Sequence, residues 1–548
     1  MKAQITPPEI NTPWQQLKQH KINLESALNL LVDRKGTLAL DLLDSEVSNR
    51  FLQQVANQNG LPPVIPLLLW RCCYYLASPI ELSLEETSQL SDRLGTKIEI
   101  VSITAKSYRT WFLKQNLSSN NINSTELRNP LTGEVDQEDI CEVAEIYFAK
   151  ASDQKERIKV IISNALRYRA SDIHLEPTAE GLRVRYRIDG ILRDISKLSL
   201  GISRKVIVAL KVMCNMDIAE SRRPQDGRIS ESYITSNDDH AKLDMRVSTL
   251  PCVGGEKIVI RLLPQENPFS KIEDLGFSKK PLAIYQRWLQ EPQGMIIFTG
   301  PTGSGKTSTL YTSLQIVATE RVNVTTVEDP VEYVLPGITQ TQVLEAAGMT
   351  FASGLRAILR QDPDVIMVGE IRDAETAETA VRAALTGHLV LTTMHTNDAT
   401  SAVPRLKDIG PDPGLISDAL LGIVAQRLVR RVCPHCSVSH SPTKEELKLI
   451  GLKAGEIDTS AWRKGIGCPK CYQTGYLGRE AVIELLEIDD PIRQIIYEGT
   501  MTQLHQYLKK IDFNSFRVAA LEKISAGVTT VEELRRVLPY SALHERST

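Results

Sequence analysis

Gly300-Pro301-Thr302-Gly303-Ser304-Gly305-Lys306-Thr307 fits the phosphate-loop pattern G-x-x-x-x-G-K-[ST] at every fixed position. The flanks suit it. An apolar run, Met295 to Phe298, precedes it, and a helix-compatible run, Ser308 to Val317, follows. Strand, glycine turn and helix is the arrangement that aims backbone N–H groups at a phosphate. The nucleotide-binding set is therefore expected to be Gly300, Pro301, Thr302, Gly303, Ser304, Gly305, Lys306, Thr307 and Ser308. The glycines let the backbone close around the anion, Lys306 reaches the β- and γ-phosphates, and the Thr307 hydroxyl holds Mg²⁺. The implied ligand is a nucleoside triphosphate with Mg²⁺.

Such a loop needs acidic partners at the ends of neighbouring strands, to hold the metal and orient water. Two stretches supply them. Thr325-Thr326-Val327-Glu328-Asp329-Pro330-Val331-Glu332 is a strand that ends in three carboxylates. Asp364-Val365-Ile366-Met367-Val368-Gly369-Glu370-Ile371-Arg372-Asp373 is a buried apolar strand that ends in Glu370. A glutamate there can position Mg²⁺ through water and polarise the attacking water. Next comes Thr386-Gly387-His388-Leu389-Val390-Leu391-Thr392-Thr393-Met394-His395. Two histidines flanking one strand beside a nucleotide site are candidates for sensing the γ-phosphate. A structural role stays open for both His388 and His395.

Of nine cysteines, four form two C-x-x-C pairs, Cys433/Cys436 and Cys468/Cys471. Two such knuckles fit a closed, structural Cys₄ zinc site. The intervening stretch is longer than in common zinc ribbons, so spacing alone leaves free thiols or a redox pair open. Cys72, Cys73, Cys141, Cys214 and Cys252 lie in apolar surroundings and are expected to be buried thiols in a reducing compartment.

The chain is long enough for three or four domains. Residues 1–112 read as a small α/β unit, with helical spacing over Leu24 to Asp33 and a strand over Ile98 to Ile103. Residues 113–142, rich in Asn and Ser, read as a flexible linker. In 143–263, Lys155 to Arg169 has the spacing of an amphipathic helix. There, too, Leu182, Val184, Tyr186 and Ile188 alternate with Arg183, Arg185, Arg187 and Asp189, which marks a strand with one apolar and one basic face. Residues 264–281 read as a hinge, and 282–430 as a mostly parallel α/β domain that carries the phosphate loop. Residues 431–480 make a cysteine-bounded module, and 481–548 a helical end.

Taken in order, the phosphate loop, Glu328-Asp329-Pro330, Gly369-Glu370-Ile371-Arg372-Asp373 and the histidine strand resemble the Walker A, Asp box, Walker B and His box of the secretion ATPases. This is the GspE/PilB family, which powers type II secretion and type IV pilus assembly. Ala170-Ser171-Asp172-Ile173-His174-Leu175-Glu176-Pro177, Arg185-Tyr186-Arg187-Ile188-Asp189-Gly190 and Arg222-Arg223-Pro224-Gln225-Asp226-Gly227-Arg228 resemble that family's second N-terminal domain. The resemblance implies a RecA-like P-loop ATPase domain, α/β in class, preceded by a smaller α+β, PAS-like domain, with a tetracysteine zinc module and a helical C-terminus. It implies ATP hydrolysis in a homo-hexamer, with ATP held between the second N-terminal domain and the motor domain. Glu370 would be the Walker B acid and Glu332 the second catalytic carboxylate, with Arg246, Arg261 and His395 completing the catalytic set. Arg356, Arg360 and Arg405 match further phosphate-facing arginines. Cys433, Cys436, Cys468 and Cys471 would hold Zn²⁺. Residues 1–112 would dock on an inner-membrane platform protein, and type II secretion and pilus assembly compete as the job.

A formal net charge of −3 argues against nucleic acid as the main partner. A ring-shaped nucleic-acid translocase is the alternative reading from another class, and a non-hydrolysing scaffold a third. The first residues lack a basic region followed by an apolar core, and Leu61 to Ala77 is too short and interrupted to span a bilayer. The expectation is a cytoplasmic protein, peripheral at the inner membrane through its partners.

Overall fold

The apolar stretch before Ala77 folds back on itself as a hairpin in this computed structural model, which describes residues 12–54, 62–116, 153–229, 243–264, 267, 269–453 and 455–544. The expectations for the first eleven residues, for the linker from 117, for the start of the second domain and for Cys141 lie outside these. The chain divides into two units, Met1–Asn164 and Ala165–Thr548.

In the first unit the hairpin is β1 (Ile65–Trp70) and β2 (Cys73–Ser78), joined by Arg71 and Cys72 at φ 46° and 59°. Two successive positive φ angles give the turn whose twist matches the strands it joins. β3 (Lys97–Ser102) lies parallel to β2, and the helix Leu84–Leu94 makes the crossover. That helix starts on a Ser83/Glu86 capping box and stops at Gly95, whose φ of 61° suits a residue without a Cβ. Trp14, Leu31, Phe51, Tyr74, Leu76 and Leu90 meet in one core. The helix Leu24–Leu31 and β3 fall where the sequence placed them. Cys72 does not behave as expected. It is exposed, because a turn position points its side chain to solvent.

The second unit opens with an antiparallel sheet of β4 (Ala170–Thr178), β5 (Gly181–Ile188), β6 (Ile191–Ser199), β7 (Gln225–Ile229), β8 (Leu243–Cys252) and β9 (Gly255–Pro264), in the order β6-β5-β4-β9-β8-β7. The helix expected over 155–169 runs Gln154–Arg167. On β5, Leu182, Val184, Tyr186 and Ile188 are buried, and the three arginines line the other face. Cys252 is a second correction. It closes the tight β8–β9 hairpin and is exposed there.

The parallel sheet is built from β10 (Gly294–Thr299), β11 (Val324–Glu328), β12 (Thr339–Gln342), β13 (Val365–Val368), β14 (Leu389–Met394) and β15 (Leu420–Val432), all parallel to their neighbours. Its order is β12-β11-β13-β14-β10-β15, with one more strand beyond. β10, β13 and β14 are buried along their whole length, as strands covered on both faces must be. Met295 and Ile297 face one core, with Ile366, Val368 and Ala380. Ile296 and Phe298 face the other, with Tyr285, Trp288, Leu310 and Tyr311. The segment read as a hinge contributes Ile272, Leu275 and Phe277 to that second core.

Small strands β16 (Ser437–Ser439) and β17 (Arg463–Gly465) belong to the cysteine module. β18 (Tyr476–Glu487) then returns to the parallel sheet and pairs antiparallel with β15 from Gly422 opposite Glu487 to Val432 opposite Tyr476. The boundary drawn at 480 therefore cuts a strand, and the helical end starts at the helix Asp490–Glu498. A Cβ on Gly422 would overlap the indole of Trp288. Overpacking of this kind costs about 1–3 kcal/mol. Gly422→Ala is expected to lose about 2 kcal/mol or more in urea unfolding of the full chain, and a change below about 0.5 kcal/mol would contradict the packing of Trp288 on β15.

Candidate active site

The phosphate loop leaves β10 at Gly300, and the helix Lys306–Val317 starts directly after it. Gly300 and Gly305 have φ 142° and 89°, and neither has room for a side chain. A Cβ on Gly300 would sit 2.5 Å from the Gln426 carbonyl, and one on Gly305 2.8 Å from Gln426 Nε2. Gln426, on β15, is buried and accepts from Thr309 Oγ1 at 2.9 Å, so the neighbouring strand props the loop from behind. Lys306 Nζ donates to the Gly300 carbonyl at 2.7 Å and the Pro301 carbonyl at 3.2 Å. Ser304 Oγ is buried with no hydrogen-bond partner among the described residues. Thr302, Gly303 and Thr307 are exposed at the rim, and Ser308 is half-buried on the first turn. A glycine backbone, the N-terminus of a twelve-residue helix, a lysine and an unsatisfied hydroxyl suit a polyphosphate, and the Thr307 hydroxyl is free to take a metal ion.

Glu370 follows β13 by two residues and is buried. Arg372 Nη2 lies 2.5 Å from its Oε1, and His395 Nε2 3.4 Å from its Oε2. Thr393 Oγ1 donates to the Gly369 carbonyl at 2.7 Å, and the Ile371 N–H to the Thr393 carbonyl at 3.1 Å, which locks the ends of β13 and β14 together. Since β14 lies between β13 and β10, Glu370, His395 and the phosphate loop all sit at the carboxyl ends of parallel strands, where open α/β sheets bind ligands. Burial pushes the Lys306 ammonium down to about 8; Glu370 opposes this and Arg427 adds to it.

The remaining pieces come from two other elements. Arg246, on β8, reaches out of the antiparallel sheet to Glu332, with Nη1 3.2 Å from Oε2. Its Nη2 donates to the Val331 carbonyl at 2.8 Å, and its Nε to Asp244 at 3.2 Å. Arg261, one strand over on β9, is instead held by Asp172, Nε to Oδ1 at 3.3 Å, and is half-exposed. Of the three carboxylates at the end of β11 and just beyond it, Glu328 is turned inward, where it accepts from Thr326 Oγ1 at 2.5 Å and Gln340 Nε2 at 3.0 Å. Glu332 is the one paired with Arg246.

A model of the family described as "Type II/IV secretion system protein" matches residues 149–536. The chain belongs to that family. The type IV pilus assembly ATPase PilB of Thermus thermophilus is 48% identical over 378 residues, 69% of this chain and 42% of that protein. The type II secretion system protein HxcR of Pseudomonas aeruginosa is 46% identical over 69% of this chain and 76% of its own length. For the type II secretion system ATPase E of Vibrio cholerae the figures are 45%, 69% and 74%. Among solved structures, the ATPase DotB of Legionella pneumophila aligns over 69% of this chain and 94% of its own, with 21% identity and a TM-score of 0.51, a likeness of fold. It accords with the RecA-like α/β domain expected from the sequence.

Other residues of this secretion-family chain stand apart from the acidic pair. Arg356 pairs with Glu375, Arg360 donates to the Arg356 carbonyl, and Arg405 is exposed on the helix Ala402–Ile409. His388 bonds the Ala383 carbonyl through Nδ1 at 2.9 Å and so closes the end of the helix Ala374–Leu385. Sequence reasoning overlooked Asp172, Arg427 and Tyr311. An isolated tyrosine in the apolar face of the helix that follows a phosphate loop is a signal that was there to be used. The four module sulfurs converge: Cys433–Cys468 and Cys436–Cys471 are 3.8 Å apart, Cys468–Cys471 is 3.6 Å, and all four lie within 4.8 Å of one another. Four thiolates about 2.3 Å from one zinc ion have edges of about 3.8 Å, so the set fits a single tetrahedral ion.

The Lys306 ammonium gives the site a pH dependence. In the free protein it loses its proton as pH rises through about 8, below the ordinary 10.5 of lysine. A polyphosphate beside it favours the charged form, so binding takes up a proton above that pH. Affinity for Mg·ATP is expected to fall about tenfold between pH 7.5 and 9.5, with proton uptake seen by calorimetry in two buffers of different ionisation enthalpy. A flat profile would contradict the burial of Lys306.

Proposed function

We propose that this protein is an ATPase motor that hydrolyses ATP to drive assembly of a type II secretion pseudopilus or a type IV pilus at the inner membrane. Secretion and pilus proteins share this core with it at 45–48% identity, so the reading covers both jobs. The matched region spans 42% of the Thermus protein and about three quarters of the secretion proteins. The observation that carries the reading is the meeting of Arg246 with Glu332. An arginine supplied by a second domain at an acidic loop beside a phosphate loop makes hydrolysis depend on closure of one domain on the other.

The chemistry divides among the residues as follows. Backbone N–H groups from Gly300 to Ser308, Pro301 excepted, and the Lys306 ammonium bind the β- and γ-phosphates, and the Thr307 hydroxyl takes Mg²⁺. The metal, when bound, neutralises developing phosphate charge. Glu370 polarises the attacking water, and Glu332 is the second carboxylate. Arg246 spreads transition-state charge, Arg261 joins it by exchanging Asp172 for phosphate, and His395 senses the γ-phosphate beside Glu370.

The working unit in this reading is a cytoplasmic homo-hexamer, peripheral at the membrane through platform proteins that residues 1–112 engage. Among the described residues no helix is long and apolar enough to cross a membrane. The antiparallel sheet is the PAS-like, arginine-supplying domain, and Cys433, Cys436, Cys468 and Cys471 hold a structural Zn²⁺. The relatives named above are secretion and pilus proteins, which weighs against a nucleic-acid translocase.

Glu370→Gln is the direct test of the hydrolytic assignment. Phosphate release is expected to fall about 100-fold or more, the scale of a lost general base, while Mg·ATP binding stays within about threefold. Turnover at the wild-type rate would refute the role of Glu370.

A further inference from the structure

The loop that carries Glu332 is fastened to the phosphate-loop helix by one buried hydroxyl. Tyr311 lies on the helix Lys306–Val317 and is fully buried. Its Oη donates to Glu328 Oε2 and accepts the Glu332 backbone N–H at 3.2 Å. The direction of these bonds is set by chemistry. Burial and the Glu328 carboxylate push the Tyr311 phenol well above its ordinary range, so it keeps its proton and donates a hydrogen bond to Glu328. The oxygen is then left as an acceptor for the Glu332 N–H. Glu328 is itself pinned: Thr326 Oγ1 and Gln340 Nε2 fill its other oxygen. Gln340 also donates to the Tyr333 carbonyl at 3.2 Å, so the edge strand β12 holds the far side of the same loop. Tyr333 packs edge-to-face on Tyr311 with ring centroids 4.7 Å apart, but its hydroxyl is buried without a hydrogen-bond partner among the described residues.

We propose that Tyr311, backed by Glu328, is a positioning residue that sets the main chain at Glu332 against the phosphate-loop helix. The helix that receives the phosphates at Lys306 thereby fixes the carboxylate loop one and a half turns later. The inference rests on the reading of Glu332 as the second catalytic carboxylate, and it adds what aims that carboxylate. Replacing the hydroxyl leaves the Glu332 N–H without its acceptor and a buried Glu328 oxygen without its donor, while the ring remains in place. A buried network with one member missing loses geometry before it loses packing.

The test uses the full chain in steady-state phosphate release with Mg·ATP, together with thermal melting. Tyr311→Phe is expected to lower kcat about tenfold with KM within twofold. Tyr333→Phe, which removes the unpartnered hydroxyl of the stacked pair, is expected to leave kcat within twofold. The double variant Tyr311→Phe/Glu332→Gln is expected to be no slower than Glu332→Gln alone, because the tyrosine acts through that carboxylate. If Tyr311→Phe melts too low to assay, Gln340→Met loosens the loop from the edge strand and should lower kcat about threefold at unchanged KM. Wild-type kcat in Tyr311→Phe, or losses that multiply in the double variant, would overturn the positioning role. Wild-type turnover in Glu332→Gln would instead remove the catalytic reading of Glu332 and the inference with it.

Discussion

One guanidinium joins the two halves of the candidate site. Arg246 is anchored in the antiparallel sheet by Asp244 and ends on Glu332 and the Val331 carbonyl of the motor domain. Both side chains are partly exposed, so the pair contributes little to stability on its own. Its weight is geometric. A planar cation that meets three groups at once fixes where β8 stands relative to the loop after β11.

The rest of the motor makes that contact meaningful. Buried parallel strands bring Gly300, Glu370 and His395 to the carboxyl end of the sheet. Gln426 fills the space behind the glycines, and Thr393 ties the Glu370 strand to the histidine strand. Tyr311 and Glu328 hold the Glu332 loop on the helix that begins at Lys306. The loops that carry Glu332, Glu370 and His395 are thus tied by short bonds to the strands and helix beside them. Loops alone would not keep these groups in register.

Local chemistry was legible in the sequence, and distant pairing was not. The phosphate loop could be read because its glycines answer a steric demand at Gly300 and Gly305, and β5 because Leu182, Val184, Tyr186 and Ile188 face one way. β18 was missed because its partner β15 lies on the far side of the cysteine module, and an antiparallel return across such an insertion leaves no periodic mark. Cys72 and Cys252 were misread because apolar neighbours conceal a two-residue turn. Arg246 and Arg261 looked alike in sequence. Only the fold distinguishes them, since one meets Glu332 and the other Asp172. Of the carboxylates in Glu328-Asp329-Pro330-Val331-Glu332, the sequence could not show that Glu328 is a buried support, because a strand's last residue can face inward.

The central claim is that the phosphate loop binds nucleotide on its own, whereas hydrolysis needs the charge of Arg246. The most direct measurement is phosphate release by Arg246→Ala beside its affinity for Mg·ATP. The account predicts a loss of about 100-fold or more in turnover, in keeping with arginines that stabilise phosphoryl transfer, and an affinity within about threefold of wild type. Turnover at the wild-type rate, or a loss of binding as large as the loss of turnover, would contradict it.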